Sequence, residues 1–135
     1  PRLSFFMQML FLGELKYSDG FPAEVQPDVY AETQKFAGEI EFIQADLLSF
    51  LGSGPAPFVS VSDIPSYLNQ EQIKEFEKLL LAQMAAGPGC WVARSFLRHP
   101  EWSAAVKKIS RPAPAAEAEA RDTTGVYKFH IFETL

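Results

Sequence analysis

The strongest constraint on the fold of this chain is a helical repeat of apolar residues between Asp28 and Leu51. Large apolar side chains recur there at intervals of three, four and seven residues, at Val29, Phe36, Ile40, Ile43, Leu47 and Phe50. This spacing places all six on one face of an α-helix. Asp28 is a typical N-cap, and the glycines and prolines of residues 52–57 are typical of a helix end. The sequence therefore predicts one long helix with a broad face to bury.

Further patterns on both sides of this stretch predict shorter helices. Residues 4–16 are apolar almost all round, which is typical of a helix that is covered on most sides. Residues 69–86 carry an apolar stripe behind an Asn69/Gln72 capping pattern. Residues 91–97 and 100–110 predict two more short helices, the second beginning at Pro100.

Two segments are predicted to be extended instead. Residues 58–62 are β-prone and lie between turn formers, and residues 127–131 alternate apolar and polar side chains. A single strand cannot satisfy its own backbone groups, so the C-terminal strand must pair with residues 58–62 or with the sheet edge of another protein. The predicted fold class is mostly α: a small helical domain around one long central helix, with a short extended segment and a C-terminal β-strand.

Composition divides the chain into three parts. Residues 1–110 form the predicted helical domain, and residues 126–135 contain the predicted strand. Between them, residues 111–125 are rich in proline, alanine and glutamate, which is typical of a linker or of a segment lying along a surface.

Charge and composition exclude several classes of protein. The net charge of -5 and the scattered basic residues argue against direct binding of nucleic acid. No apolar run reaches the ~20 residues of a membrane-spanning helix, so we expect no transmembrane segment. The chain begins at Pro1 without an initiator methionine, which is typical of a processed organellar protein or of a trimmed fragment.

The residues that could carry chemistry are few and far apart. Cys90, the single cysteine, is the one credible nucleophile, since a position at a helix N-terminus would lower its thiol pKa. His99 and His130 are the only histidines, and neither lies at a spacing typical of a catalytic pair or a zinc site. We therefore predict no catalytic residues, no cofactor and no metal, and a protein that is not an enzyme.

Three short motifs resemble the histone-fold subunits of the transcription factor TFIID and the SAGA coactivator. MLFLGE at residues 9–14 is similar to the end of their first helix, IEFI at 40–43 lies in the long helix, and VSVSDI at 59–64 is similar to their second loop. The resemblance covers residues 5–86. It implies that the long helix pairs with a partner histone fold, and that the protein acts through other proteins.

Phenylalanine-rich helices and a solitary strand indicate surface that must be buried against neighbours. We therefore predict a non-catalytic accessory or structural subunit that mediates protein–protein contacts within a larger multisubunit assembly. A processed organellar subunit, of a mitochondrion or chloroplast and with peripheral contact to a membrane complex, is favoured over a nucleus-located one. The alternative is a histone-fold subunit of a nuclear transcription complex.

The predicted interface consists of nine apolar side chains. They come from the first helix, the long helix and the C-terminal strand: Phe5, Phe6, Phe11, Phe36, Ile43, Phe50, Tyr127, Phe129 and Ile131.

Overall fold

A computed structural model describes residues 4–22 and 25–134 and divides them into two compact units. The N-terminal unit contains the described residues up to Ile43 together with Arg121–Gly125. The sheet unit contains Gln44–Ala120 and the described part of Val126–Leu135. Residues 1–3, 23–24 and 135, which belong to the predicted helical domain, its first loop and the C-terminal segment, lie outside the described residues.

The sheet unit is built on a three-stranded mixed sheet in the order β1-β2-β3. Strand β1 (Phe58–Ser60) runs parallel to β2 (Cys90–Ser95), and β2 pairs antiparallel with β3 (Lys128–Glu133). The central strand β2 is therefore hydrogen-bonded to two strands that lie far apart in the sequence of the unit.

This sheet shows that the mostly α prediction is wrong, because the sheet unit is a small α/β domain. The error lies at residues 91–97, which were predicted to be a short helix and instead supply most of β2. Along β2, buried and half-buried side chains alternate, with Trp91, Ala93 and Ser95 buried. The first four residues of the strand are all apolar, and so short a run has no period that separates strand from helix.

The C-terminal strand forms as predicted, but its partner is neither of the two that the sequence left open. It pairs with β2 inside the chain. Its outer edge is also occupied: the backbone N–H of Arg111 donates to Ile131 O (2.8 Å), and that of Phe129 donates to Glu119 Oε1 (2.9 Å). The outer edge of strand β3 is therefore partly occupied within the chain at Phe129 and Ile131.

The long helix predicted over residues 28–51 does not form. Its two ends are the short helices α2 (Pro27–Thr33) and α3 (Leu47–Leu51), and residues 36–46 between them contain neither helix nor strand. Gly38 costs a helix about 1 kcal/mol relative to alanine. Asp46 caps α3 by accepting a hydrogen bond from the Ser49 N–H (3.0 Å), so a new helix begins there. Burial, which supplies most helix stability, is absent for the exposed residues between them.

The remaining helices agree with the sequence more closely. Helix α1 (Phe5–Leu12) falls within the apolar residues 4–16, and α4 (Gln70–Ala86) has the predicted capping box of Asn69 and Gln72. Helix α5 (Ala104–Ile109) begins later than expected, because Ser103 is its N-cap instead of a start at Pro100. Helix α6 (Pro112–Arg121) is formed by the proline- and alanine-rich residues that predicted a linker or a surface segment.

The hydrophobic core of the sheet unit is an aromatic cluster between α4 and the sheet. Phe76 of α4 packs edge-on against Trp91 with ring centroids 5.6 Å apart, and Trp102 packs edge-on against Phe132 at 5.2 Å. Leu80 and Val106 are buried in the same core. The sheet unit therefore carries its own apolar core, contributed by α4, α5, β2 and β3.

The capping box of α4 gives a direct test of this fold. Asn69→Ala removes the side chain that accepts the Gln72 N–H (2.9 Å), so we expect a loss of about 1 kcal/mol in the free energy of unfolding. Urea denaturation at neutral pH measures it. Gln70→Ala is the matched control, because it changes the next residue and leaves the box intact; equal losses in the two variants would contradict the assignment.

Candidate functional site

The N-terminal unit exposes most of its large apolar side chains. In α1, Leu10 is 62% and Phe11 69% exposed, and beyond α2, Ile40 is 70% and Phe42 92% exposed. Among the described residues of this unit, only Gln8 and Gly20 are buried. The described part of the unit therefore has no buried apolar core of its own.

A buried glutamine shapes the N-terminal unit instead. The Gln8 Oε1 atom accepts hydrogen bonds from the backbone N–H groups of Lys16 (2.9 Å) and Tyr17 (2.7 Å), and Nε2 donates to the Tyr17 carbonyl (2.9 Å). Satisfied hydrogen bonds of this kind allow a polar side chain to be buried at little cost. The chain after α1 is thus held against α1 by polar contacts, which leaves the apolar residues of the helix exposed.

The same unit carries most of the negative charge. Residues 1–43 contain three basic and seven acidic residues, a net charge of -4 out of -5 for the chain. Two of the acidic residues, Glu39 and Glu41, alternate with the exposed Ile40 and Phe42. The exposed apolar surface is therefore set in an acidic background.

The nine predicted interface residues divide between the two units. Five are exposed, namely Phe6, Phe11, Phe36, Ile43 and Phe50, and four are half-buried, namely Phe5, Tyr127, Phe129 and Ile131. Tyr127 is covered within the sheet unit by the Arg94 guanidinium, 4.7 Å from the ring centroid, and by Phe96. Phe42, the most exposed of the large apolar residues that the structure describes, was missed because it lies off the face of the predicted long helix.

Four hydrogen-bonded side chains form a polar network in the sheet unit that the sequence analysis also missed. The Trp102 indole N–H donates to His130 Nδ1 (3.1 Å), and Ser95 Oγ lies 2.9 Å from His130 Nε2 and 2.7 Å from His99 Nδ1. Because an indole N–H can only donate, His130 Nδ1 accepts and its Nε2–H donates to Ser95. The Ser95 hydroxyl then donates to His99 Nδ1, so the hydrogen bonds run in one direction, from Trp102 to His99.

Contact between a serine and a histidine is the arrangement that activates a nucleophile. Ser95, however, is fully buried, and both histidines already occupy its hydroxyl group. A substrate therefore has no access to Ser95 Oγ in this structure. The network instead joins the end of β2 to β3 and to the loop before α5. Ser95 and His99 carry no recognisable signal in the sequence, because their contact depends on Ser95 lying at the end of a strand that was predicted to be a helix.

A cavity of about 420 Å³ adjoins this network. Its walls carry charges of both signs: Lys74 and Arg98 are positive, and Glu77 and Glu101 are negative. Glu77 is already engaged, since its Oε1 accepts the Ser103 N–H (2.6 Å). The cavity therefore has no excess of one charge that would select an ionic ligand.

The structure places Cys90 at the start of β2, directly opposite Glu133 of β3, and not at a helix N-terminus. Burial raises the pKa of the Cys90 thiol, and the Glu133 carboxylate raises it further. A raised pKa lowers the fraction of reactive thiolate. The expectation of a thiol pKa lowered by a helix N-terminus is therefore wrong.

Comparisons with protein-family models, with curated proteins and with solved structures find no match to this chain. Across residues 4–22 and 25–134, no cluster of three His, Cys, Asp or Glu side chains is arranged to hold a metal ion. In the same described residues, every helix is too short or too polar to cross a bilayer.

The polar network predicts a pH-dependent stability. Burial lowers the pKa of His130 from 6.5 to about 4, with smaller contributions from Lys128 and His99. As the pH drops, His130 is therefore protonated at a higher pH in the unfolded chain than in the folded one. The free energy of unfolding falls as the pH drops from about 6.5 toward 4. The half-buried ring is screened by solvent, so we expect a loss of about 1–2 kcal/mol.

Urea denaturation of the wild type and of His130→Gln at pH 7 and pH 4.5 measures this contribution. The variant should lose less stability than the wild type over this range, because it has no proton to gain at position 130. An identical loss in both proteins would contradict the proposed burial of a neutral histidine.

The two buried tryptophans offer a matched test of the network. Trp102 donates to His130, whereas the Trp91 indole N–H has no acceptor among the described residues. In double-mutant cycles with His130→Leu, we expect Trp102→Phe to show a coupling of about 1 kcal/mol. Trp91→Phe should be additive with the same change within about 0.5 kcal/mol. Equal coupling energies from chemical denaturation would refute the hydrogen-bonded pair.

Proposed function

We propose that this protein is a non-catalytic accessory subunit of a larger multisubunit assembly and contacts other protein subunits through its N-terminal unit. One observation carries the proposal. The described part of this unit exposes large apolar side chains along α1 and again over residues 36–43, and it has no buried apolar side chain. Proteins that function alone rarely expose contiguous apolar surface of this kind.

Burial of this surface would supply substantial binding energy. A phenylalanine or leucine side chain gains about 1.5–3 kcal/mol when it passes from full exposure to full burial. Helix α1 alone presents five exposed large apolar side chains, namely Phe6, Met9, Leu10, Phe11 and Leu12. Aromatic residues and methionine are enriched in protein–protein interfaces.

The charge of the unit favours proteins as partners. A net charge of -4 over residues 1–43 repels the phosphates of nucleic acids and of anionic lipid headgroups. We therefore propose contacts with other subunits and no direct contact with nucleic acid. An organellar location and peripheral contact with a membrane complex stay predictions.

The alternative function, a histone-fold subunit of a nuclear transcription complex, also stays a prediction. It requires a continuous helix over residues 28–51, and in the structure this stretch is helical only at α2 and α3. In that case pairing with a second histone-fold chain would have to extend the helix. Co-purification with such a chain favours the nuclear alternative, and an Arg/Ser-rich presequence in the precursor favours an organelle.

Size-exclusion chromatography with light scattering, together with binding of the dye ANS, tests the proposed function. We expect the isolated chain to self-associate and to bind ANS, and Phe11→Ser to reduce both effects. Tyr67→Ser is the matched control, because Tyr67 is 74% exposed but belongs to the sheet unit. A monodisperse monomer that does not bind ANS would contradict the proposal.

A further inference from the structure

The segment between α2 and α3 has an unpaired backbone. Over residues 37–45, no backbone N–H or C=O group forms a hydrogen bond with any described residue. All nine residues are exposed and lie outside helices and strands. Unpaired backbone groups of this kind are free to pair with a neighbouring chain.

Acidic and apolar side chains alternate over residues 39–42, and in an extended chain Ile43 then lies on the same face as Glu39 and Glu41. Glu39 and Glu41 are separated by Ile40, and Phe42 follows. In an extended chain, Ile40 and Phe42 would share one face, and Glu39 and Glu41 the other. In a helix, by contrast, Phe42 lies away from the face that contains Phe36, Ile40 and Ile43. An extended conformation therefore brings Ile40 and Phe42 onto one face, which a helix does not.

We propose that residues 38–44 bind as an added β-strand to the exposed sheet edge of a partner protein, and that this edge carries Lys or Arg side chains. The inference rests on the proposed function and specifies the class of partner. Strand addition derives affinity from main-chain hydrogen bonds and specificity from alternate side chains. Ile40 and Phe42 supply the apolar face, and Glu39 and Glu41 pair with the cationic side chains.

Charge selects this partner over a second copy of the chain. If two copies paired antiparallel about Glu41, that carboxylate would lie opposite its own equivalent, and like charges directly opposite are destabilising. This repulsion is local to strand pairing at Glu41. A cationic edge strand instead places an opposite charge across from Glu41.

Three synthetic fluorescent peptides test the proposal on the full chain. The first alternates leucine and lysine, the second has the same composition in a helical order, and the third alternates leucine and glutamate. We expect the alternating Leu/Lys peptide to bind in an anisotropy titration. In hydrogen-exchange mass spectrometry, it should protect the backbone amides of residues 38–44 from exchange.

Substitutions distinguish the two periods. Strand addition predicts that Phe42→Ser weakens binding of the alternating Leu/Lys peptide about tenfold, whereas Ile43→Ser, on the opposite face, changes it less than about threefold. Glu39→Gln with Glu41→Gln should weaken binding and reduce its dependence on salt. Phe42 and Ile43 are both exposed, so neither substitution threatens the fold.

Several outcomes would overturn the inference. The first is a lack of amide protection over residues 38–44. The second is tighter binding of the helical-order peptide than of the alternating Leu/Lys peptide, with a greater loss of affinity in Ile43→Ser than in Phe42→Ser. The third is equal affinity for the Leu/Glu and Leu/Lys alternating peptides. If one of these occurs while the wild type still self-associates and binds ANS through Phe11, this inference fails and the proposed function stands. If self-association and ANS binding are also absent, the proposed function fails as well.

Discussion

The aromatic cluster of Phe76, Trp91, Trp102 and Phe132 is the interaction on which the sheet unit depends. Phe76 comes from α4, Trp91 from β2 and Phe132 from β3, and Trp102 lies in the loop before α5. Each such pair adds about 0.5–1.5 kcal/mol beyond the burial of its apolar area. Because these residues are distant in sequence, the cluster orders the sheet and the surrounding helices together.

The polar network depends on the same cluster. Trp102 contacts Phe132 with one part of its ring and donates its indole N–H to His130, so one side chain belongs to both the apolar core and the hydrogen-bonded network. Buried polar groups that are satisfied in this way favour one arrangement of the core over others. The network is therefore best understood as a device that fixes the position of β3 against β2.

The N-terminal unit is organised on the opposite principle. Its described part has a buried glutamine where the sheet unit has buried aromatic rings, and its apolar side chains face solvent. The two units of the chain therefore differ in how their apolar side chains are buried. The aromatic cluster of the sheet unit is covered within that unit, and for the apolar side chains of the N-terminal unit we propose that the cover comes from a partner.

How much of this could be predicted from sequence depends on whether a local signal existed. Helix α4 was predicted with its cap, because Asn69 and Gln72 satisfy backbone groups within the same turn. Strand β2 was missed because its neighbours lie some 30 residues before it and almost 40 after it, and pairing over such distances leaves no local period. The long helix was overpredicted because apolar periodicity shows only that one face of a helix could be buried. It does not show that another part of the protein packs against that face. The pairing of Ser95 with His99 and His130 became visible only once β2 and β3 were in register.

The occupied outer edge of β3 has a consequence for the behaviour of the protein at high concentration. Exposed edge strands act as templates on which further copies stack into fibrils. Here the carboxylate of Glu119 and the main chain at Arg111 take up hydrogen-bonding positions that an incoming molecule would need. That side of the sheet therefore offers fewer unpaired backbone groups to an incoming strand.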